Sequence, residues 1–231
     1  SSTVSNTDGS ITSQVRANPT AGFSIVTYTG TGSNATVGHG LNAKPSFYVV
    51  KIRSSSDQWM SYWSPLGATK YMEFTTGAVA TGSNRWNDTE PTNSVFSLGT
   101  ESAVNGNGST FVCYCFSSVE GYSSVGSYTG NGSSSDGPFV YTGFRPRWIL
   151  TKRTDSADYW YIFDTARDVD NVVEAKLEAN SNAAEYTSAD WLDIVSNGFK
   201  IRASSGDINA SGGTYIYMAF SENPFKTARA R

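Results

Sequence analysis

Val104-Asn105-Gly106-Asn107-Gly108-Ser109-Thr110-Phe111 runs directly into Val112-Cys113-Tyr114-Cys115-Phe116. The first half is turn chemistry, because Asn and Gly accept the left-handed backbone that tight reversals require. The second half is a strand. Alternate strand residues share a face, so Phe111, Cys113 and Cys115 point one way and Val112, Tyr114 and Phe116 the other. Both faces are apolar, which predicts a central strand covered on both sides.

The same block occurs again. Ile208-Asn209-Ala210-Ser211-Gly212-Gly213-Thr214-Tyr215 repeats Val104–Phe111, and Phe220 repeats Phe116. Working outward, Phe199 and Ile201 repeat Phe96 and Leu98, and Trp160 repeats Trp59. Arg145-Pro146, with Trp148 to Leu150 and Lys152, repeats Lys44-Pro45, with Phe47 to Val50 and Lys51. Tyr128-Thr129-Gly130-Asn131-Gly132 repeats Tyr28-Thr29-Gly30-Thr31-Gly32. Blocks in one order at a slowly drifting offset define an internal repeat whose loops have absorbed insertions. A unit of about 100 residues can hold a sandwich of about seven strands. The expectation is an all-β protein of two tandem homologous β-sandwich-like repeats, 22–122 and 123–231. Residues 1–21, rich in Ser, Thr and Asn, read as a linker or extended arm. Val173, Lys176 and Leu177 at helical spacing predict one short helix within 172–179.

Composition agrees with strands. The 231 residues include 13 Tyr, 12 Phe and 6 Trp, too many rings for a disordered chain. Charged residues make up only 16%, below the roughly 25% of an average protein. The net charge of −3 gives no basic surface for nucleic acid. No apolar run is long enough to insert as a membrane helix. The opening Ser1, in place of Met, suggests a processed form or a fragment. Cys113 and Cys115 sit two apart on one strand, with Cα atoms about 6.5–7 Å apart, the upper limit for a disulfide. They read as two small buried hydrophobes.

Catalytic chemistry is thin. His39, between Gly38 and Gly40, is the single histidine and has no nucleophile motif beside it. One His and two same-strand Cys do not make a zinc site. Asp88 with Glu90, Asp164 with Asp168, and Asp190 with Asp193 could serve as glycosidase pairs, but surface solvation is the simpler reading. Asp168, Asp170 and Asn171 only faintly suggest a calcium loop. No enzyme activity, cofactor or metal is expected. The aromatic residues are more informative. Trp59, Trp63, Trp86, Trp160 and Trp191 lie in or beside polar segments, and a Trp face beside amides and carboxylates can stack on a sugar or join a protein contact. Trp59 and Trp160, being repeat mates, are assigned to core or interface. Trp86 and Trp191 have no mates and are the candidate ligand-binding residues.

Three stretches also resemble a module of large virion proteins from tailed bacteriophages, notably marine ones. They are Gly22 to Gly30 with Val37-Gly38-His39-Gly40-Leu41, Asp136 to Pro146 with Leu150 to Thr154, and Asn209 to Tyr217 with Phe220 to Phe225. The resemblance covers roughly residues 22 to 231. It implies a virion-surface location, most simply a tail-fibre module that attaches to a host-surface glycan, with other virion proteins as partners and a homotrimeric assembly. A capsid decoration or head-fibre role and a polysaccharide depolymerase are the alternatives. No catalytic residue is carried over from the resemblance.

Overall fold

In a computed structural model, which describes residues 2–223, the chain divides into two compact units. Unit 1 is Ser1–Phe74 with Val79–Ser118, and unit 2 is Thr75–Ala78 with Val119–Arg231. The basic tail residues Lys226, Arg229 and Arg231 lie outside the described residues.

Unit 1 runs through β1 (Val4–Asn6), β2 (Ser13–Asn18), β3 (Phe23–Thr29), β4 (Ala35–Gly38), β5 (Phe47–Ile52), β6 (Met60–Trp63), β7 (Lys70–Glu73) and β8 (Ala80–Thr81). There follow a one-turn α1 (Ser83–Trp86), β9 (Val95–Leu98), α2 (Ser102–Asn105) and β10 (Thr110–Phe116). The large sheet has the order β1-β2-β3-β10-β5-β6-β7-β8, and β4 pairs with β9 in a small one. The quoted strand β10 is central, antiparallel to both β3 and β5. Its inward residues Phe111, Cys113 and Cys115 share one core with Val26 and Val50 of the large sheet and Val37, Phe96 and Leu98 of the small one. The other face of β10 is half-buried. Cys113 and Cys115 are free thiols with Sγ atoms 3.5 Å apart. Burial, with the neighbouring thiol, pushes the Cys113 pKa up.

The N-terminal segment is not a free arm. β1 pairs with β2, and β2 pairs with β3 from Gln14↔Thr27 to Asn18↔Phe23. Its alternation is hard to see in the sequence because the inward side chains include a serine. Ser13 and Val15 are buried, and the Ser13 hydroxyl donates to the Gly38 carbonyl at 2.9 Å. Pro19–Ala21 then form a 3-10 turn, with the Asn18 side chain accepting the Ala21 N–H and Gly22 closing it at φ 63°.

Unit 2 contains β11 (Ser123–Thr129), β12 (Phe139–Tyr141), β13 (Pro146–Arg153), β14 (Trp160–Asp164), β15 (Leu177–Glu178), β16 (Leu192–Val195), β17 (Gly198–Ile201), α3 (Gly206–Asn209) and β18 (Thr214–Ser221). Its sheets have the orders β11-β18-β13-β14-β15 and β12-β17-β16. One core joins them, with Ile149, Phe163 and Ala219 from the first and Val140, Ile194 and Phe199 from the second. The helix predicted within 172–179 is absent. Val173 instead bridges Leu192, Lys176 bridges Tyr186, and Leu177–Glu178 extend the sheet beside β14. The helical spacing there was coincidental, since each apolar residue is used by a cross-strand partner.

The Tyr-Thr-Gly-x-Gly and Asn-containing blocks meet in space. The Tyr28 hydroxyl donates to the Val104 carbonyl at 2.7 Å. Asn105 is fully buried; its Oδ1 accepts Thr31 N–H at 2.9 Å, and its Nδ2 donates to Ser33 O at 2.7 Å and Gly99 O at 2.8 Å. In unit 2 the Tyr128 hydroxyl donates to Ile208 O at 2.9 Å. Asn209, also fully buried, accepts from Asn131 N–H at 2.8 Å and donates to Ser133 O at 2.9 Å and Ala203 O at 2.7 Å. Gly30 and Gly130 are required by the closeness of these loops. A Cβ on either would lie 2.4 Å from a carbonyl oxygen, that of Gly106 or Ala210.

Candidate functional site

Of the candidate binding residues, Trp86 is fully buried, its indole N–H donating to the Lys70 carbonyl at 3.1 Å and its ring edge-on to Tyr48 at 4.9 Å. It has no face to offer a ligand, so its assignment as a binding residue is corrected to core. Its polar sequence neighbours misled the reading: one helical turn, α1, points Trp86 inward while they stay outside. Trp63 and Trp160 are likewise buried. Trp59 is 38% exposed and stacks on Tyr114 at 6.2 Å, so it is not core, unlike Trp160.

Trp191 is different. It is only 4% exposed, yet it helps to line an open hollow of about 500 Å³ in unit 2. Asp190, Arg202 and the serines 134, 188, 204 and 205 supply the polar lining. β17 and β16 place these groups. Arg202 follows β17, its N–H donating to Trp191 O at 2.8 Å, and its Nε lies 3.6 Å from Asp193 of β16. The Ser205 hydroxyl caps α3 by accepting the Asp207 N–H. The indole Nε1 of Trp191 has no hydrogen-bond partner among the described residues.

A buried cation fixes the Trp191 ring. Lys176 Nζ lies 3.9 Å from its centroid, 4.2 Å from that of Tyr161 and 5.4 Å from that of Tyr186. The same ammonium pairs with Asp207 Oδ2 at 2.5 Å. Ring faces are negative, so a desolvated ammonium among them contributes about 2 kcal/mol. Burial and the bond to Asp158 push the Tyr161 phenol above its ordinary range. The lining thus combines a held indole, a guanidinium, a carboxylate and hydroxyls. It contains no histidine or cysteine. Reversible binding of a polyhydroxylated ligand is the chemistry such a set can perform. Sequence reading missed Arg202. Its signal was the alternation Gly198, Lys200, Arg202, outward partners of the buried Phe199 and Ile201.

The other candidate groups are structural. Glu90 accepts from the Tyr62 hydroxyl, Lys44 Nζ and the Ala68 N–H, at 2.5, 3.0 and 2.7 Å. Burial disfavours the Glu90 carboxylate, but these bonds more than offset it and leave the pKa lowered. Asp164 pairs with Arg167, and Asp168 accepts the N–H groups of Glu174 and Ala175. Among the described residues no group of three His, Cys, Asp or Glu side chains could hold a metal.

His39 is fully buried. Its Nδ1 accepts the Leu41 N–H at 3.2 Å, which leaves Nε2–H to donate to Thr92 O at 3.2 Å. Burial is the main cause that lowers its pKa, against smaller raising effects of Thr92 and Asp8. The unfolded imidazole titrates near about 6.5, and the folded one below that. This stability is therefore complete above about pH 6.5 and is lost as pH falls through the folded pKa. His39 is the single histidine. Urea midpoints at pH 7.5 and 5.0 are expected to differ in the native chain and to differ less in His39→Gln. Equal pH dependence in both proteins would show that His39 does not resist protonation.

Residues 1–224 match the model of a family described as "Domain of unknown function (DUF7483)". No curated protein and no solved structure matches the chain.

Proposed function

The chain belongs to this family of unknown function, and we propose that it is a non-enzymatic surface module of a tailed-phage virion, a tail-fibre part that attaches to a host-surface glycan. In this reading two tandem copies of one β-sandwich module form each subunit, the subunits form a homotrimer, and other virion proteins anchor it. The Trp191 hollow carries the proposal. It offers a guanidinium, a carboxylate and hydroxyls beside the edge of a core indole, a set suited to sugar hydroxyls. One such site is weak, and copies in a fibre gain strength through multivalency.

Two measurements test this. Antibody raised to the chain should label the tail fibres of intact particles under electron microscopy. The purified chain should bind host polysaccharide, and Arg202→Ala should weaken that binding at least tenfold. Label spread over the head would replace attachment with capsid decoration. Sugar release from the polysaccharide would replace it with depolymerase activity.

A further inference from the structure

Two of the most exposed aromatic residues of unit 2 stand beside one another. Phe139 is 49% and Tyr141 66% exposed. They are alternate residues of β12, with Val140 between them in the core, so both rings leave the same outer face. Each lies against a glycine. A Cβ on Gly198 would meet the Phe139 ring at 3.1 Å, and one on Gly143 would meet Tyr141 at 3.6 Å. At Gly198 the hydrogen in place of a side chain makes room for the Phe139 ring, while the Tyr141 hydroxyl end stands at ordinary contact distance from Gly143.

This platform and the hollow lie along one strand. Tyr141 is paired with Gly198 and Phe139 with Lys200, and Asp193 of β16 stands across Lys200 on the same outer face. Arg202, two residues further on, lines the hollow. From Gly198 to Arg202 is about 13 Å at the usual strand rise. The charged groups along it nearly cancel. Lys200 pairs with Asp136 at 3.2 Å and Arg202 with Asp193 at 3.6 Å, while Asp190 adds a further carboxylate. Two cations against three carboxylates provide donors and acceptors for hydroxyls but no positive field for a polyanion. Two rings also offer far less than the roughly 800 Å² per partner that a stable protein interface buries.

We infer that unit 2 binds an uncharged, linear pyranose chain along β17, with one end in the Trp191 hollow and further sugar rings stacked on Phe139 and Tyr141. This inference rests on the glycan reading above and extends it to a ligand class and a second subsite.

The test is titration calorimetry of the full chain with cello-, laminari-, manno- and chito-oligosaccharides, each as disaccharide and hexasaccharide, and with a hexauronate. At least one neutral hexasaccharide is expected to bind tenfold or more tightly than its disaccharide. The double variant Phe139→Ala, Tyr141→Ala is expected to lower hexasaccharide affinity to that of the disaccharide and leave the disaccharide unchanged. Arg202→Ala should weaken both. Both side chains are exposed, so an unchanged melting temperature confirms that the double variant is folded. Equal affinity for both lengths, unaffected by the double variant, overturns the platform and leaves the hollow as a glycan site. Tighter binding of the hexauronate overturns the neutral class. Absence of binding to every saccharide overturns both this inference and the glycan reading.

Discussion

Trp86→Ala is expected to destabilise unit 1 by about 3–5 kcal/mol, the usual cost of deleting a buried large aromatic residue. The indole is fully buried in a core that also holds Tyr48 and Phe96, and those two rings pack at 5.0 Å. Removing it leaves a cavity that rigid strands on both sides cannot close. It also removes the donor bonded to Lys70 O. Urea denaturation of the intact chain measures this, with Trp59→Ala as the comparison. Trp59 is partly exposed, and its loss should cost less than about 1 kcal/mol, as for most surface changes. If the two variants are equally stable, Trp86 does not carry the packing assigned to it. The difference matters because the polar residues around Trp86 in the sequence point to ligand binding, and its burial points to packing.

The contrast between these two tryptophans shows what the sequence could carry. The central strand was readable because Thr110–Phe116 alternates without interruption and binds partners of the same kind on each side. The Tyr-Thr-Gly-x-Gly and Asn segments of both units were readable because Asn, Gly and Tyr there have few alternatives: a Cβ at Gly30 or Gly130 meets a carbonyl. β2 was not readable. Ser13 takes an inward position that pattern reading reserves for apolar residues, and its burial is compensated by one bond to Gly38 O. Nor were the surroundings of Trp191. Lys176, Asp207 and Tyr186 reach it from three separate segments, and only the fold brings them together. Phe139 and Tyr141 alternate about Val140, but three residues are too few to mark a strand. Their exposure was not readable either, because it depends on β12 lying at the edge of its sheet beside β17.

Asn105→Ala and Asn209→Ala should each be about as damaging as the loss of Trp86, although they remove fewer atoms. Asn105 makes three hydrogen bonds and Asn209 four, and each amide thereby ties a Tyr-Thr-Gly-x-Gly loop to a helical turn and to the carbonyl of Gly99 or Ala203. Alanine leaves two carbonyls without that partner in either unit, with one backbone N–H at Asn105 and two at Asn209. A buried unsatisfied group costs about 1–3 kcal/mol; water reaches some of these groups, so about 3–4 kcal/mol in all is expected for each variant. Asp separates hydrogen bonding from size. It keeps the acceptor for Thr31 or Asn131 N–H but places a carboxylate against two carbonyl oxygens, and burying that charge is at least as costly as Ala. Gln keeps both functions on a longer stem and should recover little, because the loops already approach to within a Cβ of contact. Urea unfolding of all three substitutions at both positions gives the result. A loss below about 1 kcal/mol for Ala in either unit would show that the loop is held by backbone packing and the tyrosine hydroxyl rather than by asparagine. If Asn105→Ala and Asn209→Ala cost the same, one clasp serves each unit, as expected of two copies of one module. A large loss in one unit and none in the other would mean that the two asparagines play different roles.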